Sequence, residues 1–172
     1  MDQDAFRDTY NAVNERRCPY EKAILTDNCG CARARRFCIA EREGVQCTDA
    51  EAQARCLAFL EHLRAGARFA LKTTEGRGAL PHAKAMRIQV GGLRGVWAAL
   101  HGTGQPGNDT PGRIDDVDAL LHAAVARFGA LAELPYQQII QQLAAYRGRQ
   151  SFRERRRARK QSEDPDEPRA DT

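Results

Sequence analysis

Apolar positions recur at helical intervals along most of the chain. Phe6, Tyr10 and Val13 step by four and three, which predicts an amphipathic helix over residues 3–16. Glu21 to Asp27 forms a second, short helical stretch, and Asn28-Cys29-Gly30-Cys31 is a turn in which Gly30 permits positive φ and close backbone approach. Ala32 to Glu43 is helical by composition, with Gly44 as its stop. Thr48-Asp49-Ala50-Glu51 fits a capping box and places Cys47 just before a helix carrying Cys56, Leu57, Phe59, Leu60 and Leu63.

The second half is read the same way. Residues 73–80 form a loop, and Pro81 starts a new element. Met86, Val90, Leu93, Trp97 and Leu100 favour a helix weakened by Gly91-Gly92 and Gly95, with a strand at 87–90 as the rival. Residues 101–113 are too rich in Gly and Pro for regular structure. Asp115 or Asp116 caps a helix through Phe128, Gly129 closes it, and Pro135 opens a last helix ending near Tyr146. The expected fold is all-α: one domain of five to seven helices over residues 1–146, with a cysteine-rich first third. Residues 147–172 turn basic and then acidic and hold no large apolar cluster, so they are expected to be a disordered tail.

The 172-residue chain is long enough to bury a core, and its net charge of +4 does not require a nucleic-acid partner. It opens without a basic-then-apolar leader and has no apolar run of membrane-spanning length, so a cytoplasmic protein without membrane insertion is expected. In that compartment thiols stay reduced, and a local cysteine set is more often metal-binding than disulfide-forming.

The six cysteines all fall in one segment, as Cys18, Cys29, Cys31, Cys38, Cys47 and Cys56. None of them forms the paired Cys-x2–4-Cys knuckles of zinc modules, whereas an iron–sulfur cluster accepts ligands from separate loops and helix ends. A four-iron, four-sulfur cluster is therefore the leading cofactor and zinc the alternative. On a helical 31–38 segment, Cys31 and Cys38 would lie about 10 Å apart, and Cys38 sits between Phe37 and Ile39, so it is expected to be a buried structural thiol. The ligands are then drawn from Cys18, Cys29, Cys31, Cys47 and Cys56, with Cys18, Cys29 and Cys47 as the firmest three. Arg16, Arg17, Arg33, Arg35 and Arg36 flank them, either as cations balancing an anionic cluster or as a solvated face.

None of the four histidines is within five residues of a cysteine, and no nucleophile–base arrangement stands out, which weighs against an enzyme. The small residues around Gly91 lack the order of a phosphate-binding loop and more plausibly let helices approach closely. A redox protein is the expected partner. The basic tail around Arg155-Arg156-Arg157 offers a nucleic-acid contact, but only Phe152 is available for stacking.

Cys18-Pro19-Tyr20-Glu21-Lys22-Ala23, Cys29-Gly30-Cys31 and Ala40 to Val45 with Cys47 carry a resemblance that continues through Pro81-His82, Gly91-Gly92-Leu93 and Leu134-Pro135-Tyr136. Over residues 18–146 the chain resembles a group of small bacterial cysteine-rich proteins of suspected iron–sulfur type. The resemblance implies a single-domain unit without the tail, and neither a reaction nor a named partner. The combined expectation is an iron–sulfur protein for electron transfer, redox sensing or service as an accessory subunit of a redox complex. The alternative is a zinc-stabilised helical adaptor for nucleic acid or protein.

Overall fold

The computed structural model describes residues 3–71, 81–102 and 110–147. The loop expected at 73–80, most of the one at 101–113, and all of the expected tail except Arg147 lie outside the described residues. The chain is mostly helical but not all-α, because a two-stranded antiparallel sheet stands where the third helix was expected.

Helix α1 (Gln3–Val13) leads to the first cysteine loop, and α2 (Glu21–Leu25) follows it. Strands β1 (Ala34–Ile39) and β2 (Arg42–Cys47) then form a hairpin whose register pairs Ala34 with Cys47 and Ile39 with Arg42. The two-residue loop is Ala40-Glu41, with Ala40 left-handed at φ 52°. Such loops ordinarily announce themselves with Gly, Asn or Asp, so the Ala, Arg and Glu content of 32–43 pointed to helix instead. Gly44 is not a helix stop. It lies opposite Phe37, and a Cβ there would stand 2.5 Å from the ring, so the missing side chain seats the aromatic. Phe37 in turn meets Tyr10 of α1, with ring centroids 5.8 Å apart.

Beyond the hairpin, α3 (Ala50–Leu71) begins where Asp49 Oδ1 accepts the Ala52 N–H at 2.8 Å, which makes Asp49 the cap. Its Phe59, Leu60, Leu63 and Ala67 face the core, whereas Leu57 is exposed. Helix α4 (His82–Met86) runs through a single π turn (Arg87–Gly91) directly into α5 (Gly92–His101). This confirms helix over strand at 87–90. Helix α6 (Val117–Phe128) is capped by Asp116 and closed by Gly129 at φ 95°, and α7 (Tyr136–Ala145) starts after Pro135.

The core joins residues from Cys18 to Tyr146 in one apolar cluster. Its tightest seam is between the π turn with α5 and their neighbours α3 and α7. A Cβ on Gly95 would lie 2.8 Å from Ile139 Cα, one on Gly91 2.8 Å from Leu143 Cα, and one on Gly92 2.3 Å from a Leu63 methyl. The glycines thus let helix backbones meet at distances no other residue allows.

Gly95→Ala should therefore destabilise the chain despite alanine's better helix propensity. Overpacking costs about 1–3 kcal/mol against a propensity gain of at most ~1 kcal/mol, so the urea midpoint should fall. Gly112→Ala, where a Cβ meets nothing within 4 Å, should leave the midpoint in place.

Candidate metal centre: a nest of five thiols

Cys18 is set by strand-like pairing against β2. Its N–H donates to Val45 O at 3.0 Å, the Cys47 N–H donates to Arg16 O at 2.7 Å, and Arg17 bridges Gln46 between them. Cys18 and Cys47 thus arrive on adjacent backbones. The chain then turns into α2, and the Tyr20 N–H donates to the Cys18 sulfur. Glu21 locks this turn. Its carboxylate accepts the Val45 N–H at 3.0 Å, the Arg17 guanidinium at 3.2 Å and the Tyr10 hydroxyl, while Gln89 of the π turn donates to Pro19 O at 3.0 Å.

Cys29 and Cys31 are held by a strap from the other end of the chain. Gly30 N–H donates to Ile114 O at 2.8 Å, Ile114 N–H to Asn28 O at 3.2 Å, and Val117 N–H to Gly30 O at 3.0 Å. Gly30 does not take the positive φ expected of it; Asp27 does, at φ 56°. What Gly30 supplies is room, since a Cβ would stand 2.5 Å from Asp115 O. The Cys31 sulfur accepts N–H groups from Arg33 and from Asp118 in the first turn of α6. Both Cys18 and Cys31 therefore take an N–H from the residue two positions on.

Cys47 ends β2, and its thiol donates to Asp49 O at 3.1 Å. Cys56 lies on α3, one turn before Phe59 and Leu60. Cys29, Cys47, Cys56 and Cys18 are 1%, 5%, 6% and 7% exposed, and Cys31 is half-buried. These five are linked electrostatically and are grouped on that ground as one nest: Cys18, Cys31 and Cys47 act on Cys56, Cys31 and Cys47 on Cys18, and Cys18 and Cys31 on Cys29. Cys38 is excluded, and it is not the buried thiol the sequence suggested. It is exposed on β1, because the segment alternates as a strand rather than turning as a helix.

Burial governs the thiols. It pushes Cys18 and Cys29 up to about 12 and Cys56 and Cys31 upward as well, with neighbouring thiols adding to the rise at Cys18, Cys29 and Cys56. Cys18 is eased by the Tyr20 N–H and Cys29 by the Arg113 guanidinium. Of the flanking arginines, Arg16 donates to Cys47 O, Arg17 pairs with Glu21, Arg36 with Glu43, and Arg33 with Asp118 at 3.2 Å. Arg55 also binds Asp118, at 2.9 Å. Burial raises the Asp118 carboxyl, but the hydrogen bonds from Arg55 and Arg33 outweigh it and bring it below the usual range. These arginines mainly answer carboxylates and carbonyls.

No histidine joins the nest. His62 lies exposed against Tyr136, His101 stacks on Trp97 with centroids 4.1 Å apart, and His122 approaches Asp118. Among the described residues, no three His, Cys, Asp or Glu side chains are arranged to hold a single metal ion. Two participants carried no signal as site residues in the sequence: Asp118, 87 positions beyond Cys31, and Gln89, both reached only through the fold. Tyr20 was visible only as the residue after Cys-Pro. Comparison with protein-family models, curated proteins and solved structures found no match to the chain.

The raised thiols fix the pH response of the metal-free chain. A group whose folded pKa lies above its unfolded value, about 8.5 for a thiol, stabilises the fold fully below that value and loses the contribution as pH climbs through the folded one. Metal-free protein should accordingly lose thermal stability from about pH 8.5 towards about 12, through Cys18 and Cys29. A Cys29→Ser variant compared across that range should show a shallower slope, whereas Cys38→Ser should match the parent.

Proposed function

We propose that the chain binds an iron–sulfur cluster of the four-iron type in the thiol nest and uses it for electron transfer or redox sensing, alone or within a larger redox complex. The observation that carries this is the convergence of five thiols, four of them at least nine-tenths buried, from the Cys18 loop, the Cys29–Cys31 loop, β2 and α3. Thiols that only fill a core have no need to lie within one another's electrostatic reach.

Two features fit an anionic metal–sulfur group. Backbone N–H groups already point at the sulfurs of Cys18 and Cys31, the kind of hydrogen bond that sets the properties of cluster thiolates. The surroundings are packed and apolar, with Ala23, Ile24, Val45, Phe59 and Leu60 in the same core cluster as Cys18, Cys29 and Cys56, and Cys31 packed against it. A single zinc ion would draw its thiolates to about 3.8 Å from one another, given Zn–S bonds of about 2.3 Å. The described side chains are not gathered in that way, whereas a cluster spreads its ligands over a wider cavity.

The proposed ligand set is Cys18, Cys31, Cys47 and Cys56, the first three being the thiols that act on Cys56, with Cys29 as a fifth thiol that Cys18 and Cys31 act on. The expectation from sequence took Cys18, Cys29 and Cys47 with Cys31 or Cys56 as the fourth; the proposed set takes both Cys31 and Cys56 and leaves Cys29 out. Cys31, half-buried next to Arg33, is the edge through which electrons would pass to a protein partner.

The test is anaerobic purification of the full chain followed by iron, acid-labile sulfide and electron paramagnetic resonance measurements. About four iron and four sulfide per chain are expected. Serine at Cys18, Cys31, Cys47 or Cys56 should cut the iron content by more than half, and serine at Cys29 or Cys38 should leave it intact. Zinc without iron in the parent protein would overturn the proposal.

A further inference from the structure

Tyr20 is 1% exposed and lies at the centre of the core, yet its hydroxyl has no hydrogen-bond partner. Its backbone is fully used: the N–H serves the Cys18 sulfur, and the carbonyl accepts the Ile24 N–H at 2.9 Å. A buried phenol normally finds an acceptor, because leaving one unmade forfeits the hydration it had in the unfolded chain. The exception therefore calls for a reason.

The surroundings of the hydroxyl supply it. Tyr20 shares one core cluster with Cys18, Cys29 and Cys56, and beyond burial itself these thiols, Cys56 first, are what act most on its hydroxyl. Thiol sulfur is a weak acceptor, but thiolate or sulfide in a cluster is anionic, and a hydrogen bond to an anionic acceptor is roughly twice as strong as a neutral one. The phenol cannot easily turn elsewhere. Glu21 ties the next residue to Val45 N–H, and Gln89 holds the preceding carbonyl at Pro19.

We infer that Tyr20 is a positioning donor whose hydroxyl hydrogen-bonds a sulfur of the bound cluster, and so helps set its reduction potential. The inference rests on the cluster reading of the nest. Reduction adds one negative charge to the cluster, so a donor at its sulfur stabilises the reduced form more than the oxidised form and raises the potential. Gln89 Oε1 is another buried acceptor without a partner, and it would be the rival within the protein if the hydroxyl came to it. A hydroxyl committed to Gln89 would leave the potential indifferent to its removal.

Tyr20→Phe in the full, cluster-loaded chain separates these outcomes. The expected result is unchanged iron and sulfide per chain with a reduction potential more negative than the parent's, read by a titration monitored by electron paramagnetic resonance. The metal-free Tyr20→Phe protein should melt no lower than the metal-free parent, since it loses a hydroxyl that has no partner there. If Tyr20→Phe does not load, 3-fluorotyrosine at position 20 decides, because its stronger O–H donor should shift the potential in the positive direction. A loaded variant of either kind with the parent's potential overturns the donor role and leaves the cluster reading standing. A parent protein without iron and sulfide overturns both.

Discussion

The backbone strap between Asn28–Gly30 and Ile114 is the constraint on which the site depends. Its three main-chain hydrogen bonds join the cysteine-bearing first third to the start of α6, and they bring the Asp118 N–H onto the Cys31 sulfur. The approach is close enough that any side chain at position 30 would collide with Asp115 O. Once the strap is made, Asp118 is also within reach of Arg33 and Arg55, so one carboxylate ties the hairpin entry, α3 and α6 together. Buried hydrogen bonds of this kind are costly to leave unmade, which gives the assembly its specificity.

The electrostatics of the nest differ from what the flanking arginines implied. Cations packed around empty thiols would lower their pKa values, and they would also oppose an incoming metal cation. Burial instead pushes Cys18, Cys29, Cys31 and Cys56 upward, and most of those arginines pair with Glu21, Glu43, Asp118 and backbone carbonyls. Metal uptake into such a site would exchange thiol protons for metal, so the cost of burying charge would be met on binding. The N–H groups at Cys18 and Cys31 would then face the added negative charge.

What was legible in the sequence was local. Helix α6 announced itself through Asp116 and Gly129, α3 through the Thr48–Glu51 cap sequence, α7 through Pro135, and the closely packed glycines through their spacing on a helical stripe. The hairpin was hidden because its turn uses Ala40 in a left-handed conformation that alanine rarely adopts, and its strands are rich in helix-favouring Arg and Glu. Gly44 misled for the same reason, since a glycine that seats Phe37 looks no different from one that ends a helix. Clustering drew attention to the cysteines, but the helical rise used to judge Cys38 does not apply to a strand. Ile114, Asp118 and Gln89 could not be found by any local pattern, because only tertiary pairing brings them to the nest.

The arrangement also bears on how such a centre would be used. Four of the five thiols are closed off by α3, the hairpin and the packed core, so solvent and oxidants approach from the Cys31 side. On that side lie Arg33, Asp116 and Asp118, held to one another by hydrogen bonds and to α6 by its first turn. A packed wall limits how far ligands can move when one electron is gained or lost, and this favours exchange with a partner docked at the Cys31 edge. The same edge is where an oxidant would meet the cluster first. On the proposed reading, electron transfer and oxidative sensing would both draw on the half-buried Cys31 sulfur, and the choice between them would turn on whether a partner covers it.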